Sequence, residues 1–286
     1  MTDPGNTADN AGDGRIWLIT GTSSGFGRAI AEAALAAGDT VVATARKPEV
    51  LADLVAEYPD RVRPLALDVV DGDQIAEVVA TTLAEFGRID VLVNNAGRAL
   101  VGAVEETTDA ELRGLMELHV FGPAALIRAV LPSMRSRRSG AIVQISSMGG
   151  QLSFAGYGAY SATKMALEGL SEALALEVAP FGVRVLIVEP GAFRTGLQGG
   201  AKHESAALSD YDDTVGVTRR AGNDSDGNQP GDPAKAAAAI LTALAAEPTP
   251  LRLPLGGDAV DALRAHADGI RAELEEWESV SRSTDF

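Results

Sequence analysis

The sequence predicts an α/β fold: a single doubly wound parallel sheet with helices on both faces. Three observations carry that expectation. Short, nearly continuous apolar runs (Ile16–Thr20, Thr40–Ala45, Ile89–Val93, Ala141–Ile145 and Val183–Val188) recur along the chain, as strands buried on both faces do. Stretches of helical periodicity alternate with them. A glycine-rich turn follows the first run at once.

Taken in order, Met1 to Gly14 is rich in Asp, Asn and Gly and reads as a disordered tail without the basic start or apolar centre of a signal peptide. The domain is expected over 15–286. After the first strand comes Thr20-Gly-Thr-Ser-Ser-Gly-Phe-Gly27, then an alanine-rich helix to Ala37 closed by Gly38. Strand, glycine turn and helix together let a pyrophosphate sit on helix N-terminal amides, because Gly21, Gly25 and Gly27 carry no side chain to block it. A plain structural turn with incidental glycines is the alternative.

The second strand ends in Ala45-Arg46-Lys47. A carboxylate here would bond a ribose 2′-hydroxyl, whereas arginine accommodates a 2′-phosphate. Ala45 and Arg46 therefore favour the phosphate, unless Arg46 is only a solvated charge at a strand end. Pro48–Tyr58 reads as a helix, Val62–Leu67 as an edge-like strand ending at Asp68-Val69, and Asp71–Phe86 as an amphipathic helix. The strand at Ile89–Val93 stops at Asn94-Asn-Ala-Gly97.

Thr108-Asp-Ala-Glu111 is a capped helix start, with a helix running to about Arg138 and a kink expected near Gly122-Pro123. Tyr157–Val178 is another helix. From Ala192 to Asp232 apolar periodicity is lost, so 192–232 is expected to be an irregular loop acting as a substrate lid. Pro233–Ala246 returns to helix, Leu251–Leu255 to a short strand, and 258–286 to an acidic amphipathic helix and tail.

One stretch offers chemistry. Tyr160 and Lys164 stand four apart among good helix formers, so both fall on one helical face. A neighbouring ammonium favours the phenolate, and the expectation is a Tyr160 pKa lowered enough for general acid and base work. Ser147, just beyond the preceding strand, can reach the same substrate oxygen. The same Tyr-x-x-x-Lys spacing also occurs on helices that do no chemistry.

Composition excludes other classes. Of 286 residues, 24 are Lys or Arg and 40 are Asp or Glu, a formal charge of -16 that repels nucleic-acid backbones. There is no cysteine, so disulfides, thiolate catalysis and cysteine zinc sites are out. His119, His203 and His266 show no metal spacing, and no metal site is expected. No apolar run approaches the ~20 residues of a membrane span, which makes a cytoplasmic protein without membrane contact the default expectation.

Assembled, these motifs give the chain a close resemblance to the short-chain dehydrogenase/reductases over residues 15 to 256, in segment wording nearest the hydroxysteroid-dehydrogenase-like branch. The resemblance implies a Rossmann-type fold and an oxidoreductase that moves hydride between NADP(H), with NAD(H) possible, and a small-molecule ketone or secondary alcohol. It implies that Tyr160 gives its proton to the carbonyl oxygen, Lys164 binds the nicotinamide ribose, and Ser147 rather than Ser146 orients the carbonyl. Gly21, Ser23, Ser24, Gly25, Phe26 and Gly27 would cradle the pyrophosphate. Asp68 with Val69 would meet the adenine; Asn94, Ala96 and Gly97 would line the cofactor cleft; Thr195 after Pro190-Gly191 would bond the carboxamide. A homodimer or homotetramer through the Asp109–Arg138 and Tyr157–Val178 helices is implied too. Where the family has an asparagine completing the catalytic set, this chain has His119. Either its neutral ring holds a water that supplies protons to Tyr160, or it is a helix residue bonded to a backbone carbonyl. Two other functions share this fold, a dinucleotide-sensing regulator and an epimerase or dehydratase, and the intact Ser147, Tyr160 and Lys164 argue against the first.

Overall fold

The apolar runs form the strands expected of them, and successive residues point to alternate faces of one sheet. The computed structural model describes residues 14–197 and 202–286. The chain runs β1 (Ile16–Ile19), α1 (Gly25–Ala36), β2 (Thr40–Ala45), a 3-10 turn (Pro48–Leu51) leading into α2 (Ala52–Glu57), β3 (Val62–Ala66), α3 (Gly72–Phe86) and β4 (Val91–Asn94). It continues through β5 (Ala99–Val101), α4 (Asp109–Met116), a π turn (Glu117–Phe121), α5 (Gly122–Arg137), β6 (Gly140–Ile145), α6 (Gly158–Val178) and β7 (Val183–Pro190). Last come β8 (Lys202–Glu204), α7 (Val215–Ser225), α8 (Pro233–Ala245), β9 (Arg252–Leu255) and α9 (Gly257–Arg282).

Seven strands make one parallel sheet in the order β3-β2-β1-β4-β6-β7-β9. Trp17, Ile19, Val41, Val91, Val93, Val143 and Leu186 face α1 and α8, while Leu18, Val42, Leu92, Ile142 and Val185 face α3 and α5. Fully burying each large aliphatic side chain contributes about 1.5–3 kcal/mol, so the two layers supply the main stabilisation. Trp17 is wholly buried, and its indole N–H donates to Asp39 at 2.8 Å. Asp39 also accepts from the Arg15 amide, which fixes the start of β1. The expected caps are present: Asp71 accepts from Asp73 and Gln74 amides, and Thr108 with Glu111 forms a reciprocal capping box.

Four expectations need correction or placement. The tail at 1–13 lies outside the described residues. The irregularity expected near Gly122-Pro123 is a π turn at Glu117–Phe121, closed by the Gly122 amide donating to Glu117 five residues back. Pro123 has no amide hydrogen, so the turn before it must close by another pattern. Asp109–Arg137 taken together is long and apolar enough to cross a bilayer, which the reading by continuous runs missed. Its Leu126, Ile127, Val130 and Met134 are instead buried against the sheet.

The fourth concerns 192–232, which is not irregular throughout. β8 pairs with β5, Lys202 opposite Ala99, and α7 follows. Polar contacts hold this flap, which is why no apolar stripe announced it. The wholly buried carboxylate of Glu106 accepts from the Ala103 and Leu208 amides and from Arg219 at 2.8 Å. Thr218 donates to the Ala155 carbonyl, and Tyr211 to Glu105.

Arg219 holds the Glu106 carboxyl well below its ordinary 4.5, at about 2. A depressed folded pKa contributes stability that is complete above about pH 4.5 and is lost as pH falls from there toward 2. Glu106→Gln is therefore expected to lower the melting temperature by about 5 °C and to speed amide exchange across 205–225 at neutral pH. The wild type should lose protection there, relative to the intrinsic exchange rate at each pH, only on acidification. Exchange in the variant that matches the wild type at pH 7 would mean that other contacts hold the flap.

Candidate active site

At the carboxyl ends of the strands, where β1 has β2 on one side and β4 on the other, the sheet opens into a cleft of about 1200 Å³. One wall is the glycine turn. Gly21 and Gly25 have φ of 69° and 58°, the left-handed region that a side chain disfavours. A Cβ on Gly27 would lie 2.3 Å from the Gly21 carbonyl. The turn is clamped from below: Thr20 Oγ1 accepts from the Asn95 and Ala96 amides, and Asn95 Nδ2 donates to the Thr20 and Gly21 carbonyls. Gly21, Ser23, Ser24, Gly25 and Phe26 face the cleft, with Gly27 packed beneath them. Such a cradle at a helix start fits a pyrophosphate.

Arg46, Asp68 and Val69 line the end of the cleft beyond β2 and β3. Arg46 is exposed and follows the buried Ala45, with no carboxylate at that strand end. Ala96, Gly97, Pro190, Gly191 and Thr195 line the remainder. Phe26 and Phe193 rings pack at 5.1 Å between the two walls. Asp258, in the first turn of α9, accepts from the Ala192 amide at 2.7 Å and so anchors the segment after β7.

Asn94 is a correction. Its side chain is buried in the sheet, donating to Gln144 at 2.8 Å, and does not reach the cleft. Its neighbour Asn95 faces the cleft instead, and the sequence reading passed over it. Strand alternation decides between them: Asn94 is the last residue of β4, in register with Gln144.

Ser147, Tyr160 and Lys164 meet at the floor of this cleft. Ser146 is not available, because its hydroxyl donates to Glu168 at 2.6 Å. Ser147 accepts from the Gly149 amide, and its hydroxyl donates to the Pro190 carbonyl at 3.5 Å. Burial pushes the Tyr160 phenol up to about 12, against the pull of Ser147. The expected lowering by Lys164 is absent, for a geometric reason. Lys164 Nζ donates to the Ile145 carbonyl at 2.8 Å and stands 5.7 Å from the Tyr160 ring centre, and burial drops its own pKa to about 8 despite Glu168 nearby. Tyr160 is thus held as a proton donor.

His119, on the π turn, is 1% exposed. Its Nε2 accepts from the Arg98 amide at 3.2 Å, so the ring proton is on Nδ1, which donates to Thr163 Oγ1 at 2.8 Å. Thr163 in turn donates to the Tyr160 carbonyl at 2.8 Å. Burial, then Lys164 and Arg98, hold the imidazole pKa well below its ordinary value, which agrees with a neutral ring. The water-holding role does not fit this arrangement, since protein groups take both nitrogens. Gly97 is bare of a side chain at this point, and a Cβ there would come 3.1 Å from Nε2.

The profile of the short chain dehydrogenase family matches residues 15–206. An oxidoreductase of Botryotinia fuckeliana, BOA17, is 41% identical over 268 residues, which are 93% of this chain and 98% of that protein. A 3-ketodihydrosphingosine reductase of Bacteroides thetaiotaomicron is 44% identical over 64% of this chain and 65% of its own length. The crystal structure of a short-chain dehydrogenase from Streptomyces avermitilis is 66% identical, covers 96% of this chain and 100% of its own, and superposes with a TM-score of 0.92. A metagenomic short-chain oxidoreductase in complex with NADP is 36% identical over 64% of this chain and 84% of its own, with a TM-score of 0.60. The glycine cradle, the Ser147–Tyr160–Lys164 cluster and these likenesses agree, and the chain belongs to the short-chain dehydrogenase/reductase family of oxidoreductases.

Proposed function

We propose that this enzyme transfers hydride between NADP(H) and a small ketone or secondary alcohol, with Tyr160 exchanging the proton at the substrate oxygen. The observation that carries the reading is the buried Tyr160, beside Ser147 and Lys164 on the floor of the cleft whose wall is the glycine cradle. When bound, the nicotinamide supplies or accepts the hydride. The chain's own residues do the rest. Ser147 and the Tyr160 hydroxyl meet the carbonyl oxygen from the protein side, and Tyr160 gives it a proton as negative charge develops there. Lys164, buried and held by the Ile145 carbonyl, lines the cleft and would hold the nicotinamide ribose.

The preference for NADP rests on Arg46 beside Ala45 at the end of β2, and on the relative that is described with NADP. The 3-keto reductase among the relatives supports a ketone. We also infer a homodimer or homotetramer through α5 and α6, whose surroundings expose Phe121, Met165, Leu170 and Leu176. His119 serves as a positioning residue. It links the Arg98 amide, just past the cleft segment, to the Tyr160 carbonyl through Thr163.

Three measurements test this reading. NADPH oxidation with a panel of ketones should give stoichiometric turnover, and Tyr160→Phe should cut kcat by about a hundred- to ten-thousandfold while leaving the NADPH Kd in place. Activity within tenfold of wild type would remove Tyr160 from the mechanism. Arg46→Ala should lower kcat/KM for NADPH by about ten- to a hundredfold and barely change it for NADH. An unchanged ratio would discard the 2′-phosphate assignment. His119→Leu should lower kcat roughly tenfold or more at every pH without moving the profile or the cofactor Kd, and His119→Asn, with one acceptor and one donor, should keep most activity. A profile displaced along the pH axis in His119→Leu would restore a proton-relay role.

A further inference from the structure

Helix α9 starts against the domain and finishes outside it. Ala259 is buried, and Ala262, Leu263 and His266 are half-buried, but every residue from Ala267 to Arg282 is exposed. A helix of this length spans about 39 Å. An extension with so few tertiary contacts is marginal in water unless something covers it.

Its apolar side chains follow a pattern, half-buried at Val260 and Leu263 and exposed from Ala267 onward. Val260, Leu263, Ala267, Ile270, Leu274 and Trp277 recur at alternating spacings of three and four, the seven-residue repeat of a coiled-coil seam. Ile270, Leu274 and Trp277 are 55%, 64% and 58% exposed. Asp261, Asp268, Glu275 and Glu276 fall on the opposite side, toward solvent. Along one edge of the seam stand Arg264, Arg271 and Glu278; along the other stand His266, Glu273 and Val280.

These edges select the partner and its direction. Two parallel copies of α9 would set Glu273 against Glu278 and His266 against Arg271, both unfavourable. Two antiparallel copies set Glu278 of each beside Arg264 of the other, oppose Ile270 to Leu274, and seat the small Ala267 against the large Trp277. Size is then complementary, and the two Arg264–Glu278 pairs offset the like-charged contacts that Arg271 and Glu273 each make with their own copies. We propose that α9 is a self-association surface, on which two copies of this chain pair as antiparallel helices about a dyad beside Glu273. This pairing does not depend on the reaction assigned above, and it uses a surface separate from α5 and α6.

The chain has no cysteine, so one introduced thiol is unique. In the full-length protein, Glu273→Cys lies at the dyad, whereas two copies of Ser281→Cys stand about 27 Å apart along the paired helices. A short bismaleimide should therefore join two chains through Glu273→Cys and not through Ser281→Cys. Joining at both positions means a parallel arrangement, joining at Ser281→Cys alone means another register, and joining at neither leaves the face to a different occupant. Any of these three results overturns the proposal. Leu274→Glu should halve the mass seen by sedimentation equilibrium while leaving the melting temperature of the domain and kcat as in the wild type. An unchanged mass in that variant overturns it as well.

Discussion

The clasp between Thr20 and Asn95 is the constraint on which the site depends. One hydroxyl accepts two backbone amides from the segment after β4 and donates to the Val93 carbonyl, while the Asn95 carboxamide returns two hydrogen bonds to the end of β1. These groups lie at the point where the strand order of the sheet reverses. Leaving any of them buried and unpaired costs about 1–3 kcal/mol, so the two strand ends hold a fixed separation. The glycine turn is built on that separation, and α1 takes its direction from the turn. The catalytic floor, contributed by β6 and α6, sits opposite because β6 is the next strand beyond β4.

The Tyr160 site shows how charge depends on orientation as well as spacing. Four residues along a helix bring Lys164 and Tyr160 to one face, but they do not say which acceptor the ammonium will find. It finds the Ile145 carbonyl, and both groups are buried. Desolvation penalises the phenolate and the ammonium alike, so the phenol rises and the lysine falls. Proximity alone would have given the opposite sign for the tyrosine.

Most of the sheet was legible because buried parallel strands are written as short apolar runs, and helices such as α3 carry caps at the expected places. The glycine turn and the Ser147, Tyr160 and Lys164 cluster were legible for a related reason, since few residue types serve those positions. What escaped was decided by tertiary contacts. The choice between Asn94 and Asn95 turns on which face of β4 each one takes. Helix α7 buries only Val215 among apolar side chains and is otherwise anchored by Arg219 and Thr218, so no apolar run marks it in the sequence. The tautomer of His119 follows from the Arg98 amide, a neighbour brought close only by folding.

The π turn that carries His119 also acts as a phase shifter for everything after it. One extra residue in a helical turn advances the downstream face by about 100° relative to an unbroken helix. The apolar side of α5, with Leu126, Val130 and Met134, meets the sheet only because that advance has been made. Losing a single residue between Glu117 and Phe121 would let the helix close regularly and would rotate those side chains away from β4 and β6. The same deletion would withdraw the imidazole from Thr163. Catalytic positioning and core packing are therefore geared together through one irregular turn, and a length change there disturbs both at once.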